Sequence, residues 1–358
     1  MVDTSIMNNG QKYNPNISIL RIIAAIMVVS LHVLGHGGAL EADRNSLAWF
    51  LEMLSLPAVN IFALITGYVY CEAQWKWKKI IPLWTEAVFY SVGLTLLLGV
   101  LGYVDISFGV IWRACLPILK NRWWYFTSYV GLFFFIPYLN KLIEAIADTT
   151  LFKNLIISIV VFLSIIPIIG HMAGSTIYDV DKGFSFFWLM ALYLVGAYIR
   201  KNGIVYKGKA VKVACILGYI LIAIVIWLLE WKLPAIAGEF EKYSSISIVA
   251  MGVLMMVATL SGDSSEIAST DNNDKRTYRL LKTISKTTLA CYLISDHPDV
   301  REALISGCMS SFVNKPAMSF LIAYVVRVVV LILACVVIDV IRELVFARAI
   351  KMIMVEAK

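Results

Sequence analysis

A chain of 358 residues that is 60% hydrophobic and only 15% charged, with a mean hydropathy of +0.80, carries more apolar surface than a soluble core can enclose. Its formal net charge of +7 would suit nucleic acid only if Lys and Arg formed a patch or arm, and they are scattered between apolar runs instead. The six cysteines fall singly, without a CxxC pair or metal-ligand spacing, so neither a disulfide framework nor a metal site is expected.

A bilayer core takes about 20 apolar residues per helix. Ten segments approach that length: 17–36, 49–70, 80–101, 123–140, 155–170, 184–199, 211–229, 244–260, 287–309 and 317–341. The fifth and sixth are short, and the ninth is interrupted at Ser295-Asp296-His297-Pro298. The polar stretch 1–16 lacks the basic region of a cleavable signal peptide, so the first segment is expected to stay as a helix. Alternating the ten segments from a cytoplasmic N-terminus puts 21 Lys and Arg inside and 9 outside, with Arg327 inside the last span. That asymmetry follows the positive-inside rule. The expected fold is therefore an all-α polytopic integral membrane protein of about ten transmembrane helices, with both termini cytoplasmic. Its parts are a cytoplasmic segment 1–16, a transmembrane domain 17–341 and a cytoplasmic tail 342–358. The longest loop, 261–286, is rich in Ser, Asp, Asn and Lys and reads as a flexible cytoplasmic linker.

The first segment holds Arg21, His32 and His36 in apolar company. Eleven helical residues turn through about 1100°, so Arg21 and His32 lie within about 20° of one face and roughly 16 Å apart along the axis. Arg21 can be an inner-surface anchor whose side chain snorkels to headgroups, or a functional cation. An imidazole inside a membrane usually faces a polar cavity, and one titrating near neutrality suits a general base. His32 is thus the first catalytic candidate and His36, beside Gly35, Gly37 and Gly38, the second. Glu86 and Arg327 sit deep in the third and tenth segments, where a structural ion pair between them is the first expected role and cavity lining the second. Asp339 and Arg342 suggest an interfacial pair. Trp124, Tyr125 and Tyr129 can be belt aromatics or can frame a sugar. Thr66-Gly67-Tyr68 suits close helix packing.

Several stretches in order resemble the membrane acyltransferase 3 family. They are Arg21 with ten residues before His32, Asn60 to Thr66-Gly67-Tyr68, the aromatic run from Trp123-Trp124 to Pro137, Phe187 to Gly196-Ala-Tyr, and Ile284-Ser-Lys-Thr-Thr-Leu-Ala-Cys-Tyr292-Leu-Ile294. One departure is that family members often place His directly after the last motif, where this chain has Ser295 and delays its His to His297. The resemblance implies transfer of an acyl group, usually acetyl from acetyl-CoA, to a hydroxyl of an envelope glycan or lipid-linked sugar. No cofactor is held, and acyl-CoA serves as a donor substrate. It implies a multi-pass protein of the bacterial cytoplasmic membrane, with the lipid bilayer as surroundings and no nucleic-acid partner. On this reading His32 is base or acyl shuttle and Arg21 binds the donor. His36, Thr66, Gly67, Tyr68, Trp124 and Tyr292 then contact substrate. The rival class is a secondary transporter, or a lipid or glycan flippase. It shares the polar groups and the basic loops but predicts no thioester chemistry.

Overall fold

The computed structural model describes residues 14–44, 46–147, 150–203, 205–262 and 272–356. Most of the N-terminal segment (1–13), the middle of the expected linker (263–271) and the last two residues of the tail lie outside the described residues.

Helices account for the regular structure. They are α1 (Pro15–Gly35), α2 (Leu47–Ser55), α3 (Ala58–Tyr70), α4 (Ile80–Val100), α5 (Phe108–Cys115), α6 (Trp124–Ile146), α7 (Thr150–Val160) and α8 (Ile166–Met172). After them come α9 (Phe186–Lys201), α10 (Lys209–Lys232), α11 (Pro234–Glu241), α12 (Ile246–Leu260), α13 (Asn272–Lys286), α14 (Thr288–Ser295), the short α15 (Pro298–Val300) and α16 (Ala317–Glu356). Each of the ten apolar segments contains helix. Seven helical stretches among the described residues are long and apolar enough to cross a membrane. An eighth counts if α11 and α12, bent by 44°, form one broken span. Segment 184–199 is a single helix of 16 residues, α9, and segment 287–309 is broken after α14.

Two of the connecting parts are helical. The linker 261–286 is helical from Asn272, because Leu281 and Ile284 recur on one side and α13 packs that side on α1. The tail from Arg342 continues α16 without interruption to Glu356, since it contains no Gly or Pro to end a helix.

The bundle is layered from a closed centre to an apolar exterior. Of the 13 residues of α3, 12 are buried, whereas α10 buries four of its 24. Val213, Leu217, Leu221 and Val225 of α10 face outward, as do Val326, Val330, Leu333 and Val337 of α16. Outward apolar faces of this length suit lipid rather than water. The closest helix contact is α3 on α9, and two glycines make it possible. A Cβ on Gly67 would stand 2.0 Å from the carbonyl oxygen of Tyr193, and one on Gly196 would stand 2.1 Å from that of Leu64. We expect Gly196→Val to force the pair apart and to lower the yield of monodisperse protein sharply. Gly93→Val, at an open position, is the control that should be tolerated.

The expected Glu86–Arg327 pair is not formed. Glu86 instead faces Arg342, 3.5 Å from its Nη2, and Arg342 also donates to Asp339 at 2.7 Å, so the Asp339–Arg342 pair is present. Tyr90 donates its hydroxyl to the same carboxylate at 2.7 Å. Arg327 turns to the carbonyl of Ala323 and the ring of Phe312. Depth along two helices does not say which turns face each other, and α16 presents Arg342 rather than Arg327 to α4. Removing Arg342 would leave Glu86 and Asp339 as neighbouring enclosed carboxylates. Arg342→Met should therefore cost about 3–5 kcal/mol in thermal or denaturant melts. Arg327→Met should cost clearly less. Equal losses would contradict this pairing.

Candidate active site

The chemistry gathers at the C-terminal end of α1. This helix touches α2, α3, α12, α13, α14 and α16, so its residues are fixed from several sides. Its end is clamped by backbone bonds from Gly307 to the carbonyl of His36 (3.2 Å) and from Met309 to that of Gly37 (2.7 Å). His32 lies one turn before the end.

The partner of His32 comes from the break after α14. Proline cannot continue a helix and restrains the residue before it, so Pro298 stops the ninth segment and leaves His297 extended (φ −62°, ψ 126°). Ser295 and Asp296 are thereby held where α14 ends, facing the two imidazoles of α1. Beyond Pro298 the chain makes a π-helical turn, Arg301–Ile305, which brings Arg301 back to the same place.

Counting hydrogens assigns the tautomer of His32. Ser295 has one hydroxyl hydrogen and donates it to the carbonyl of Cys291 at 2.5 Å. Its Oγ, 2.8 Å from Nδ1 of His32, can then only accept. Neutral His32 therefore carries its hydrogen on Nδ1 and keeps a lone pair on Nε2. Asp296 Oδ1 lies 3.9 Å from that Nε2, 3.6 Å from Nε2 of His36 and 3.5 Å from Nη1 of Arg301. A carboxylate there favours the imidazolium that forms when Nε2 takes a proton.

Beside this cluster is a second one. Asp299 accepts from Thr95 (2.5 Å) and Arg122 (3.2 Å). Its backbone N–H donates to Nδ1 of His297 at 3.2 Å, and Nε2 of His297 lies 3.2 Å from both the carbonyl of Ser91 and Nη2 of Arg122. The His297 side chain is fully enclosed among these partners.

Both clusters border one cavity of about 680 Å³. His32, His36, Trp124 and Tyr292 all line it, as do Glu52, Arg113, Lys120, Arg122, Tyr243, Asp296 and Arg301. One wall is aromatic: Trp124 stacks on Tyr243 at 5.6 Å between ring centroids and meets Phe184 at 4.4 Å. The hydroxyl of Tyr292 accepts from the backbone N–H of Tyr125 at 3.3 Å and keeps its own hydrogen to donate. An imidazole, a carboxylate beside it, hydrogen-bond donors and a stacking wall therefore share one space. That set can remove a proton from a hydroxyl and stabilise charge on a carbonyl oxygen.

The other residues expected to contact substrate do not reach this space. Arg21 is 2% exposed, so it neither snorkels nor opens onto an aqueous surface, and it lies in the core within electrostatic range of Tyr129. Thr66 bonds back to the carbonyl of Phe62, Gly67 serves the α3–α9 contact, and Tyr68 accepts from Arg200. These three belong to helix packing and to the far end of α3. Conversely, Ser295, Asp296, Glu52, Arg113, Lys120, Arg122 and Arg301 do not stand out in the sequence as site residues. The signal for the first two is a helix-breaking Ser-Asp-His-Pro inside an apolar segment, the kind of break that membrane proteins use to build sites.

Compared with known families, residues 14–340 match the acyltransferase domain of the acyltransferase 3 family. No curated protein and no solved structure matches the chain. The match runs through every helix that lines the cavity, and the chain belongs to the acyltransferase 3 family.

Proposed function

We propose that this membrane acyltransferase moves an acyl group, acetyl in the simplest case, from acyl-CoA to a hydroxyl of an envelope glycan or lipid-linked sugar. The observation that carries the reading is the bare Nε2 of His32 beside a cavity of sugar size, with Nδ1–H anchored on Ser295. In the reaction, Nε2 takes the acceptor's hydroxyl proton as the oxygen attacks the thioester carbonyl. The C–S bond then breaks, and CoA leaves as a thiolate that recovers the proton from the imidazolium. Asp296 stabilises that imidazolium, and the donors Tyr292 and Arg301 offer hydrogen bonds to the tetrahedral oxyanion. Trp124 and Tyr243 give the acceptor ring an aromatic face.

Ten spans with cytoplasmic termini fit this reading. On that alternation the cavity lies at the outer end of α1, the acceptor's side. The bacterial cytoplasmic membrane is the setting in which such a donor and acceptor meet. Mass spectrometry of envelope glycans from cells with and without this chain tests the assignment. One added acyl mass that depends on the chain supports it, and identical glycans in the two strains count against it.

A further inference from the structure

The ten-span alternation leaves nine Lys and Arg on the outer side, and four of them, Arg113, Lys120, Arg122 and Arg301, converge on the cavity that holds His32. Two of these are neutralised locally, Arg301 by Asp296 and Arg122 by Asp299. The side chains of Arg113 and Lys120 have no ion-pair or hydrogen-bond partner among the described residues. Glu52 enters the cavity from α2, within electrostatic range of Tyr243, and forms no ion pair with either of them.

A second observation points the same way. The Arg122 side chain is only 9% exposed, and although its Nη2 bonds Asp299, its Nε is enclosed at the cavity wall without a hydrogen-bond partner. Burial lowers the pKa of this guanidinium, Asp299 opposes that, and the like charge of Arg113 adds to it. An enclosed cation with a spare N–H beside two uncompensated cations is an arrangement that an anion relieves. Two cations without a carboxylate partner beside a third match a phosphoryl or diphosphate group, with its several oxygens, better than a single carboxylate, and the arginine fork suits phosphate oxygens.

We infer that Arg113, Lys120 and Arg122 form a phosphoryl-binding subsite at the mouth of the cavity, so that the ligand presenting its reacting group to His32 carries a phosphate or diphosphate. This rests on the acyltransferase reading for the cavity being a substrate site. The phosphoryl group could belong to the acceptor, as in a sugar linked through diphosphate to lipid, to the CoA donor, or to a lipid headgroup, and one experiment separates them.

The full chain in nanodiscs of zwitterionic lipid is titrated with inorganic pyrophosphate, read by the fluorescence of the tryptophans, of which Trp124 lines the cavity. Saturable quenching that weakens with added salt is expected, as is at least a roughly tenfold loss of affinity in Arg113→Gln/Lys120→Gln. Both positions are exposed, and an unchanged gel-filtration profile and circular dichroism spectrum would certify the fold of the double variant. Competition by coenzyme A assigns the subsite to the donor. Loss of pyrophosphate binding in nanodiscs rich in phosphatidylglycerol assigns it to a headgroup. Indifference to both leaves the phosphorylated acceptor. Absence of saturable binding, or equal affinity in the wild type and the double variant, overturns the proposal. Because binding is read without turnover, a chain that binds pyrophosphate but never cleaves acetyl-CoA would keep the subsite and sink the acyltransferase reading instead.

Discussion

Replacing His32 by alanine should lower acyl transfer by about 10²–10⁴-fold, the usual contribution of a positioned general base. The chain should still fold and insert. His32 lines an existing cavity and makes one hydrogen bond, to Ser295, plus ring contacts with His36 and Tyr292. Its removal enlarges a space that is already open rather than creating a void in packed core. His32→Gln is the sharper variant. Its side-chain amide can still donate to Ser295, but it cannot accept a proton near neutral pH. Both variants should therefore be equally inactive. If glutamine restored most of the rate, His32 would be a binding group and not the base.

The second large effect is expected at Ser295, which does not line the cavity and is hydrogen-bonded to Nδ1 of His32. Ser295→Ala removes the acceptor for Nδ1–H, so the ring is free to rotate and to take the other tautomer. A misplacement of about 1 Å can cost on the order of 10²-fold in rate. The loss should appear in kcat, with KM for the acyl-CoA donor nearly unchanged, and Ser295→Thr, which keeps the hydroxyl, should recover most of it. A purely structural role would move yield and melting temperature but not the ratio of kcat to KM. Wild-type kcat in Ser295→Ala would remove Ser295 from the mechanism.

Segment content is readable from the sequence because lipid imposes it: spans must be helical and apolar, and each of the ten apolar runs contains helix. Breaks inside those runs are only partly readable. Pro57 divides the second run into α2 and α3, and Pro298 ends the ninth, yet only the second of these is marked by polar residues around it. The family is recognisable because its motifs are local strings, and they fall in the helices that form the core.

The site is legible only where it lies on one helix. Helical geometry puts Arg21 and His32 on nearly one face, which is correct for α1 in isolation. That face is sealed by neighbouring helices at the depth of Arg21 and opens only near His32, and no periodicity in α1 carries that information. For the same reason Ser295, 263 positions away in sequence, registers only as a departure from the family's usual His. The structure gives that departure a role, since a hydroxyl already committed to the carbonyl of Cys291 can only accept from His32. Arg113, Lys120 and Arg122 give no signal of their own, because short basic loops on either side of a membrane look alike until the chain lays one of them over a cavity.

The most direct test uses the purified chain in proteoliposomes supplied with acetyl-CoA labelled in the acetyl group and an envelope glycan extract. Free CoA and labelled glycan should form in equal amounts with the wild type, and neither should rise above background with His32→Ala. Label moving across the membrane with its thioester intact, or full transfer by His32→Ala, would contradict catalysis by His32 in this cavity.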